Sequence, residues 1–116
     1  MSRKRELRVT DYLQHIFDAI ERIESYLAGG DQQAFLHSFM TQDAVIRNLE
    51  IIGEAAINIR SLDPAGAAQY PEWDQICAMR NRLTHGYFDI NLEVVRRTAQ
   101  NDLPKLRQYV KSALVS

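Results

Sequence analysis

The sequence predicts an all-α protein, an up-and-down bundle of four main helices plus one or two short helical pieces. Three observations support this fold class. Apolar residues recur at alternating steps of three and four over long segments. No segment alternates with period two for long enough to form a strand. No repeat or low-complexity run divides the 116 residues, so we expect residues 1–116 to form a single domain with one core.

Composition limits the possible functions. The 14 Lys and Arg residues are balanced by 15 Asp and Glu, for a formal charge of −1. A protein of this charge does not hold nucleic acid by its overall field, so any RNA contact must be local. The one cysteine, Cys77, allows no internal disulfide and lies in an apolar stripe that favours a buried, inert thiol. The basic first residues lack the apolar run of a signal peptide, and no segment is long and apolar enough to span a membrane. We therefore expect a cytoplasmic protein.

The first helix is expected to follow a flexible basic leader, residues 1–9. Thr10 is the predicted N-cap, and Gly29-Gly30 end the helix after about 18 residues. His15 lies beside the apolar stripe without an acidic partner at i+4, which is typical of a surface or packing residue. The stripe consists of Leu13, Ile16, Ile20, Ile23 and Leu27.

The second main helix shows the most regular pattern. Asp31 can cap a short helical piece before it, and Thr41 with Asp43 offers the start. The apolar band is wide enough to touch two neighbours, so one face is predicted to pack internally and the other against a second subunit. Gly53 in mid-helix costs about 1 kcal/mol relative to Ala, and we attribute it to a close helix crossing. The stripe consists of Val45, Leu49, Ile52, Ala56 and Ile59.

The opposite side of this helix carries Arg47, Glu50 and Glu54. One interpretation is an ordinary salt-bridged surface. The other is a set of carboxylates that orient a ligand-binding arginine.

The third main helix carries the candidate chemistry. Residues 61–70 read as a connection, and Pro71 fits the first turn of the new helix. His85 is the predicted end, with Gly86 as a left-handed C′ residue. The last helix is expected to begin at an Asn91 N-cap and to restart near Asn101 or Asp102, because Pro104 removes a backbone donor.

Residues 80–88 read Arg-Asn-Arg-Leu-Thr-His-Gly-Tyr-Phe. Arg80 falls on the apolar stripe of its helix and therefore needs an anionic partner, for which Glu54 and Asp74 are candidates. Residues five apart on a helix point about 140° away from each other. Arg80 and His85 can therefore share a ligand only if the helix frays or if a second copy of the chain supplies one of them.

This motif resembles that of the HEPN domains, and within them the HepT toxins of bacterial and archaeal toxin–antitoxin pairs. Arg80, His85 and Tyr87 fill an Arg-x-x-x-x-His-x-Tyr pattern, with the polar Asn81 directly after the arginine. The segment 44–55 also looks like the helix that precedes the motif, and Pro71-Glu72-Trp73 like the start of the motif helix. The resemblance spans about residues 11–114.

The resemblance implies a HEPN-like bundle with a composite ribonuclease site across a homodimer. Arg80 and His85 would be catalytic and Asn81 supporting. It also implies a partner antitoxin, a minimal nucleotidyltransferase that transfers AMP from ATP to Tyr87. No cofactor is implied.

The residues themselves suit phosphate chemistry. Arg80 can stabilise charge, and His85 can transfer a proton near neutral pH. RNA cleavage by its own 2′-hydroxyl would leave a 2′,3′-cyclic phosphate and a 5′-hydroxyl without a metal, and two copies of His85 would supply base and acid. Cys77, His85 and Asp74 match no zinc or di-metal spacing. The alternative is a non-catalytic helical dimer that binds a nucleotide or a partner nucleotidyltransferase.

Overall fold

Seven helices follow one another in the computed structural model, which describes residues 7–86 and 90–115. These two ranges contain no strand, so the predicted all-α fold is confirmed. None of the described helices is long and apolar enough to cross a membrane. The helices are α1 (Val9–Leu27), α2 (Gln32–Leu36), α3 (Phe39–Leu62), α4 (Pro64–Ala67), α5 (Trp73–His85), α6 (Leu92–Asn101) and α7 (Leu103–Val115).

The first helix begins earlier than its sequence pattern suggested. Arg8, not Thr10, is the N-cap, because the Asp11 carboxylate accepts a hydrogen bond from the Arg8 N–H at 2.8 Å. Of the predicted leader, residues 1–6 lie outside the described residues, and Val9 already belongs to α1.

The start of α3 is also shifted. The Ser38 hydroxyl caps it by accepting from the Thr41 N–H at 3.2 Å, so the helix begins at Phe39 and the predicted start at Thr41 and Asp43 was wrong. Asp31 does cap the short α2, as expected, with its carboxylate 2.9 Å from the Ala34 N–H. The local competition between neighbouring Ser and Thr caps decides such boundaries.

The core forms around α3, which packs against α1 on one side and α5 on the other, while α7 lies against α1. The apolar stripes predicted for the first two main helices face inward, with Leu27 as their one half-buried member. Trp73 anchors the start of α5, because its indole N–H donates to the Ala56 carbonyl of α3 at 3.0 Å. The largest fully buried side chains are Ile16, Ile20, Ile23, Val45, Leu49, Ile52 and Val110.

Two connections differ from their predictions. The segment 61–70 holds the short helix α4, which starts with Pro64 at its first turn and is capped by Asp63. Pro71 lies two residues before α5, whose first residue is Trp73. The proline therefore belongs to the approach to the helix and not to its first turn.

The last helical segment is divided as the sequence predicted. Asn91 caps α6 by accepting from the N–H groups of Glu93 and Val94 at 3.0 and 3.2 Å. The helix ends at Asn101 and α7 begins at Leu103, because Pro104 has no N–H to continue the ladder. α6 contributes Val95 and Ala99 to the buried residues and packs mainly on α7, with α2 alongside.

An ion-pair cluster ties α7 to α1. The Arg107 guanidinium lies 5.2 Å from the Phe17 ring centroid. It also approaches the carboxylates of Glu21 at 3.8 Å and Glu24 at 3.4 Å. A cation over an aromatic face with two acidic neighbours fixes the helix pair without using the residues of the candidate site.

Candidate functional site

Arg80 lies at the point where the backbones of α3 and α5 come closest to each other. A Cβ atom built on Gly53 would lie 2.5 Å from the Arg80 Cβ and 3.2 Å from its Cα. Cβ atoms essentially never come within 3.0 Å of a heavy atom from another part of the chain. The close helix crossing predicted for Gly53 is therefore confirmed, and it places Arg80 at the crossing.

The Arg80 guanidinium is held by two neighbours. Its Nε lies 2.9 Å from Glu54 Oε2, and its Nη1 donates to Asn81 Oδ1 at 2.9 Å. Glu54 is thus the anionic partner that the sequence required, while Asp74 pairs with Arg60 at 2.8 Å. Nη2 makes no hydrogen bond within the described ranges, so two N–H donors stay available at a partly exposed position.

A cleft of about 420 Å³ opens beside this guanidinium, between α1, α3 and α5. Across it, the Thr84 hydroxyl donates to Glu50 Oε2 at 3.2 Å. The carboxylates proposed to orient an arginine therefore have two different partners. The cleft is lined by Tyr12, His15, Arg47, Glu50, Ile51, Glu54, Ala55, Arg80 and Thr84.

The α1 side of this cleft was missed by the sequence analysis. Tyr12 and His15 form an edge-to-face pair, with ring centroids 5.8 Å apart and an interplanar angle of 86°. His15 is exposed, in agreement with its interpretation as a surface or packing residue, but it faces the cleft of Arg80. Their i, i+3 spacing was the available signal. Nothing in the pattern of one helix tells which other helix will lie opposite.

His85 does not line the cleft of Arg80. It is exposed and forms the last residue of α5. The helix does not fray at this point, because the Gly86 N–H donates to the Arg82 carbonyl at 2.9 Å. On an unbroken helix the five-residue separation turns the two side chains about 140° apart. A single chain therefore does not bring Arg80 and His85 together.

Gly86 ends the helix for a different reason than predicted. Its φ of −101° is not left-handed. A Cβ at this position would instead lie 2.7 Å from the Arg82 carbonyl oxygen. The glycine is thus explained by close approach of the backbone and not by a positive φ.

Tyr87, the predicted adenylylation residue, lies outside the described residues. Cys77 is buried on α5, as predicted, and burial raises the pKa of its thiol. Within residues 7–86 and 90–115, no group of three His, Cys, Asp or Glu side chains is placed to hold a metal ion.

A second cleft, of about 480 Å³, lies between α5, α6 and α7. Much of its lining is aliphatic, and it includes neither Arg80 nor a histidine. The larger cleft also has cations and hydroxyl groups, among them Arg82 and Thr98, but of the two clefts the smaller one contains Arg80 of the motif and an imidazole. We therefore take the smaller cleft as the candidate site for phosphate chemistry.

Comparison with known proteins gives a consistent result. Residues 16–113 match the family described as "Ribonuclease HepT-like". A "Probable ribonuclease HepT" of Thermococcus cleftensis is 40% identical over 84% of this chain and 87% of its own length. A "Putative RNase" of Caldanaerobacter subterraneus subsp. tengcongensis is 32% identical over 89% of this chain and 91% of its own length. No solved structure gives a significant match. The chain therefore belongs to the HepT-like ribonuclease family, and this membership supports a ribonuclease function.

Proposed function

We propose that this chain is the metal-independent endoribonuclease toxin of a HepT-type toxin–antitoxin pair, with a composite Arg80–His85 site across a homodimer. The observation that carries the proposal is the geometry of α5. Arg80 presents free Nη2 donors at an open cleft, whereas His85 is exposed at the helix end and turned away from it. Two accessible side chains that cannot meet within one chain can meet between the two chains of a dimer.

The reaction needs no group beyond these side chains and the RNA. A base removes the proton of the 2′-hydroxyl, and the 2′-oxygen forms a bond to the adjacent phosphorus. The bond from phosphorus to the 5′-oxygen breaks, and an acid protonates that oxygen. Two copies of His85 serve as base and acid, while Arg80 stabilises the charge on the phosphorane-like transition state. The products are a 2′,3′-cyclic phosphate and a 5′-hydroxyl.

Glu54 and Asn81 act as positioning residues in this scheme. They engage Nε and Nη1 of Arg80, which leaves Nη2 for a phosphate oxygen. Because the Arg80 and Glu54 side chains are 34% and 55% exposed, their ion pair is worth at most about 1 kcal/mol in stability. Its main contribution is to the orientation of the guanidinium.

The primary test is RNA cleavage in excess chelator. Arg80→Ala and His85→Ala should each abolish cleavage, with unchanged circular dichroism and unchanged mass in light scattering. An active, folded variant would contradict the assignment. Loss of wild-type cleavage in chelator, restored by magnesium, would point to carboxylate and metal chemistry instead.

A heterodimer tests the composite site itself. Wild-type and His85→Ala chains with different tags are coexpressed, and the mixed dimer is purified through both tags. If one site needs both copies of His85, the mixed dimer should be nearly as inactive as the His85→Ala homodimer. Half the wild-type activity would mean that each site uses a single histidine. A monomer at micromolar concentration would remove the composite site.

We further propose that a minimal nucleotidyltransferase antitoxin neutralises the chain by transferring AMP from ATP to Tyr87. The tyrosine oxygen attacks the α-phosphorus, pyrophosphate leaves, and the phenol proton goes to solvent. The added phosphodiester is an anion that Arg80 can bind, and its purine can block the RNA path. Coexpression with the antitoxin followed by intact-mass measurement should show added adenylate. Tyr87→Phe should remain toxic and escape neutralisation, and an unmodified Tyr87 in a neutralised complex would contradict the proposal.

One observation favours the alternative of a non-catalytic dimer that binds a nucleotide or a nucleotidyltransferase. Arg80 is already charge-matched by Glu54, as in a structural ion pair. Expression of the chain alone in bacteria separates the two functions. Growth arrest that His85→Ala relieves supports the ribonuclease, and identical growth of the two strains supports the binding module.

A further inference from the structure

The two sides of the 420 Å³ cleft differ in chemistry. On the α5 side, Arg80 and Thr84 engage the carboxylates of Glu54 and Glu50. On the α1 side stands the edge-to-face pair of Tyr12 and His15. The α1 side takes no part in the reaction scheme above, yet it faces the same space.

Arg47 adds a second guanidinium to this cleft, where two arginines and two glutamates balance in formal charge. It is exposed on α3 and makes no hydrogen bond or ion pair with any residue in the described ranges. Glu50, one turn further along α3, accepts from Thr84 instead, and Glu54 pairs with Arg80. Glu54 is thus ion-paired, Glu50 keeps its charge on a hydrogen bond to a neutral hydroxyl, and the five N–H donors of Arg47 have no partner among the described residues.

We propose that Tyr12, His15 and Arg47 form a nucleotide-binding subsite for the RNA residue next to the cleaved phosphate. The base stacks on the aromatic pair, and its phosphate binds Arg47. His15 is exposed, and Tyr12 is half-buried with one part of its side chain against the core. Single-stranded nucleic acid stacks on accessible aromatic rings and binds guanidinium groups. The subsite rests on the proposed ribonuclease function and identifies its substrate as unpaired RNA.

The overall charge of the chain makes a local subsite necessary. At a formal charge of −1, long-range attraction cannot hold RNA over the site. Stacking is insensitive to this charge and works with every base. An acidic peptide would use Arg47 but gain little from the rings, so a single-stranded nucleotide fits the three side chains better.

The test measures binding separately from cleavage. The probe is a short single-stranded RNA with a 2′-O-methyl group on every residue, which removes the attacking hydroxyl, and binding is followed by fluorescence anisotropy. The variants are Tyr12→Leu, which keeps apolar packing, Arg47→Ala, His15→Ala and His15→Phe. The matched control is Arg22→Ala, which removes an exposed charge from α1 outside the cleft.

Tyr12→Leu, His15→Ala and Arg47→Ala should each weaken binding by roughly tenfold, because that is the size of one stacked base or one phosphate contact. His15→Phe should bind like wild type, since a phenyl ring also stacks. Arg22→Ala should stay within about twofold of wild type. The dependence of the binding constant on salt should decrease by about one ion for Arg47→Ala and remain unchanged for Tyr12→Leu.

Failure of the subsite and failure of the proposed ribonuclease function would give different results. If wild type binds and cleaves RNA but the Tyr12 and Arg47 variants bind the probe with wild-type affinity, the subsite is wrong and the ribonuclease stands. If wild type binds no RNA at all, the proposed function fails and the subsite with it. If His15→Phe binds normally but no longer cleaves unmodified RNA, the stacking role stands and His15 also transfers a proton, which would overturn the scheme in which two copies of His85 supply both base and acid.

Discussion

Gly53→Ala tests whether the contact between α3 and α5 determines the position of Arg80. The added methyl carbon would lie 2.5 Å from the Arg80 Cβ and 3.2 Å from its Cα and N. Ordinary van der Waals contact for such an atom begins at 3.4 Å. The two helices must therefore separate by about 1 Å, because neither Cβ can rotate away from its backbone.

The expected free-energy change combines two opposing effects. Overpacking of a close contact costs about 1–3 kcal/mol, and alanine gains about 1 kcal/mol over glycine in a helix interior. Because the added methyl meets atoms fixed to the backbone, we take the upper part of the overpacking range, about 2–3 kcal/mol, and expect a net loss of about 1–2 kcal/mol. At roughly 4–8 °C per kcal/mol for a domain near this size, Tm should fall by roughly 4–16 °C. RNA cleavage at 25 °C should fall by a larger factor than the folded fraction, because Arg80 moves with α5.

The assay is thermal unfolding by circular dichroism, with Gly30→Ala as the matched control. A Cβ at Gly30 would meet its nearest neighbour, the Ala34 Cβ, at an ordinary 3.6 Å. This control should stay within about 0.5 kcal/mol of wild type. A Gly53→Ala protein as stable as wild type, or more stable, would refute the idea that the crossing is limited by backbone contact.

Three further predictions follow from buried and partly exposed contacts. Trp73→Phe should lower the free energy of unfolding by about 1–3 kcal/mol in urea titrations, because the hydrogen bond to the Ala56 carbonyl is lost; an unchanged midpoint would contradict that hydrogen bond. Burial raises the pKa of Cys77 above its usual 9.0, so the unfolded chain loses this proton first. Stability should be intact below about pH 9 and decrease above it, and Cys77→Ala should flatten that decrease. Glu54→Gln should lower Tm by no more than about 8 °C yet reduce the cleavage rate by roughly tenfold, because Arg80 loses its orienting charge; wild-type kinetics would remove Glu54 from the positioning role.

The sequence predicted those features that local chemistry controls. Asp31 and Asn91 are caps because their side-chain oxygens accept hydrogen bonds from the free N–H groups of the first helical turn. Pro104 divides the last helical segment because it lacks a donor. Gly53 marked a helix crossing because an unfavourable residue in mid-helix needs a steric reason.

Where two local signals competed, the prediction was wrong. Thr10 and Thr41 both look like N-caps, but Arg8 and Ser38 occupy the cap positions. The Arg8 N–H donates to the Asp11 carboxylate, whereas the Ser38 hydroxyl accepts from the Thr41 N–H. Gly86 has a negative φ although its place after the helix suggested a left-handed residue. Glycine is favoured both by a left-handed φ and by close approach of another backbone atom, and the sequence does not distinguish these two requirements.

The candidate site was predictable on one helix and not across helices. Helix periodicity places Arg80 on the apolar stripe, where it needs an anionic partner. The same periodicity turns the His85 side chain away from that of Arg80. Tyr12 and His15 face Arg80 because of the way α1 packs against α3. That packing is set by burial of the whole core, and no single sequence motif predicts it.

Few buried residues attach α6 to the rest of the fold. This helix buries only Val95 and Ala99, whereas α3 buries nine residues. Opening α6 locally should therefore require less free energy than global unfolding. The cleft of Arg80 is built by α1, α3 and α5, so it can stay intact during such an opening. We therefore expect the backbone amides of α6 to exchange their hydrogens faster than those of α3, without loss of the contacts around Arg80.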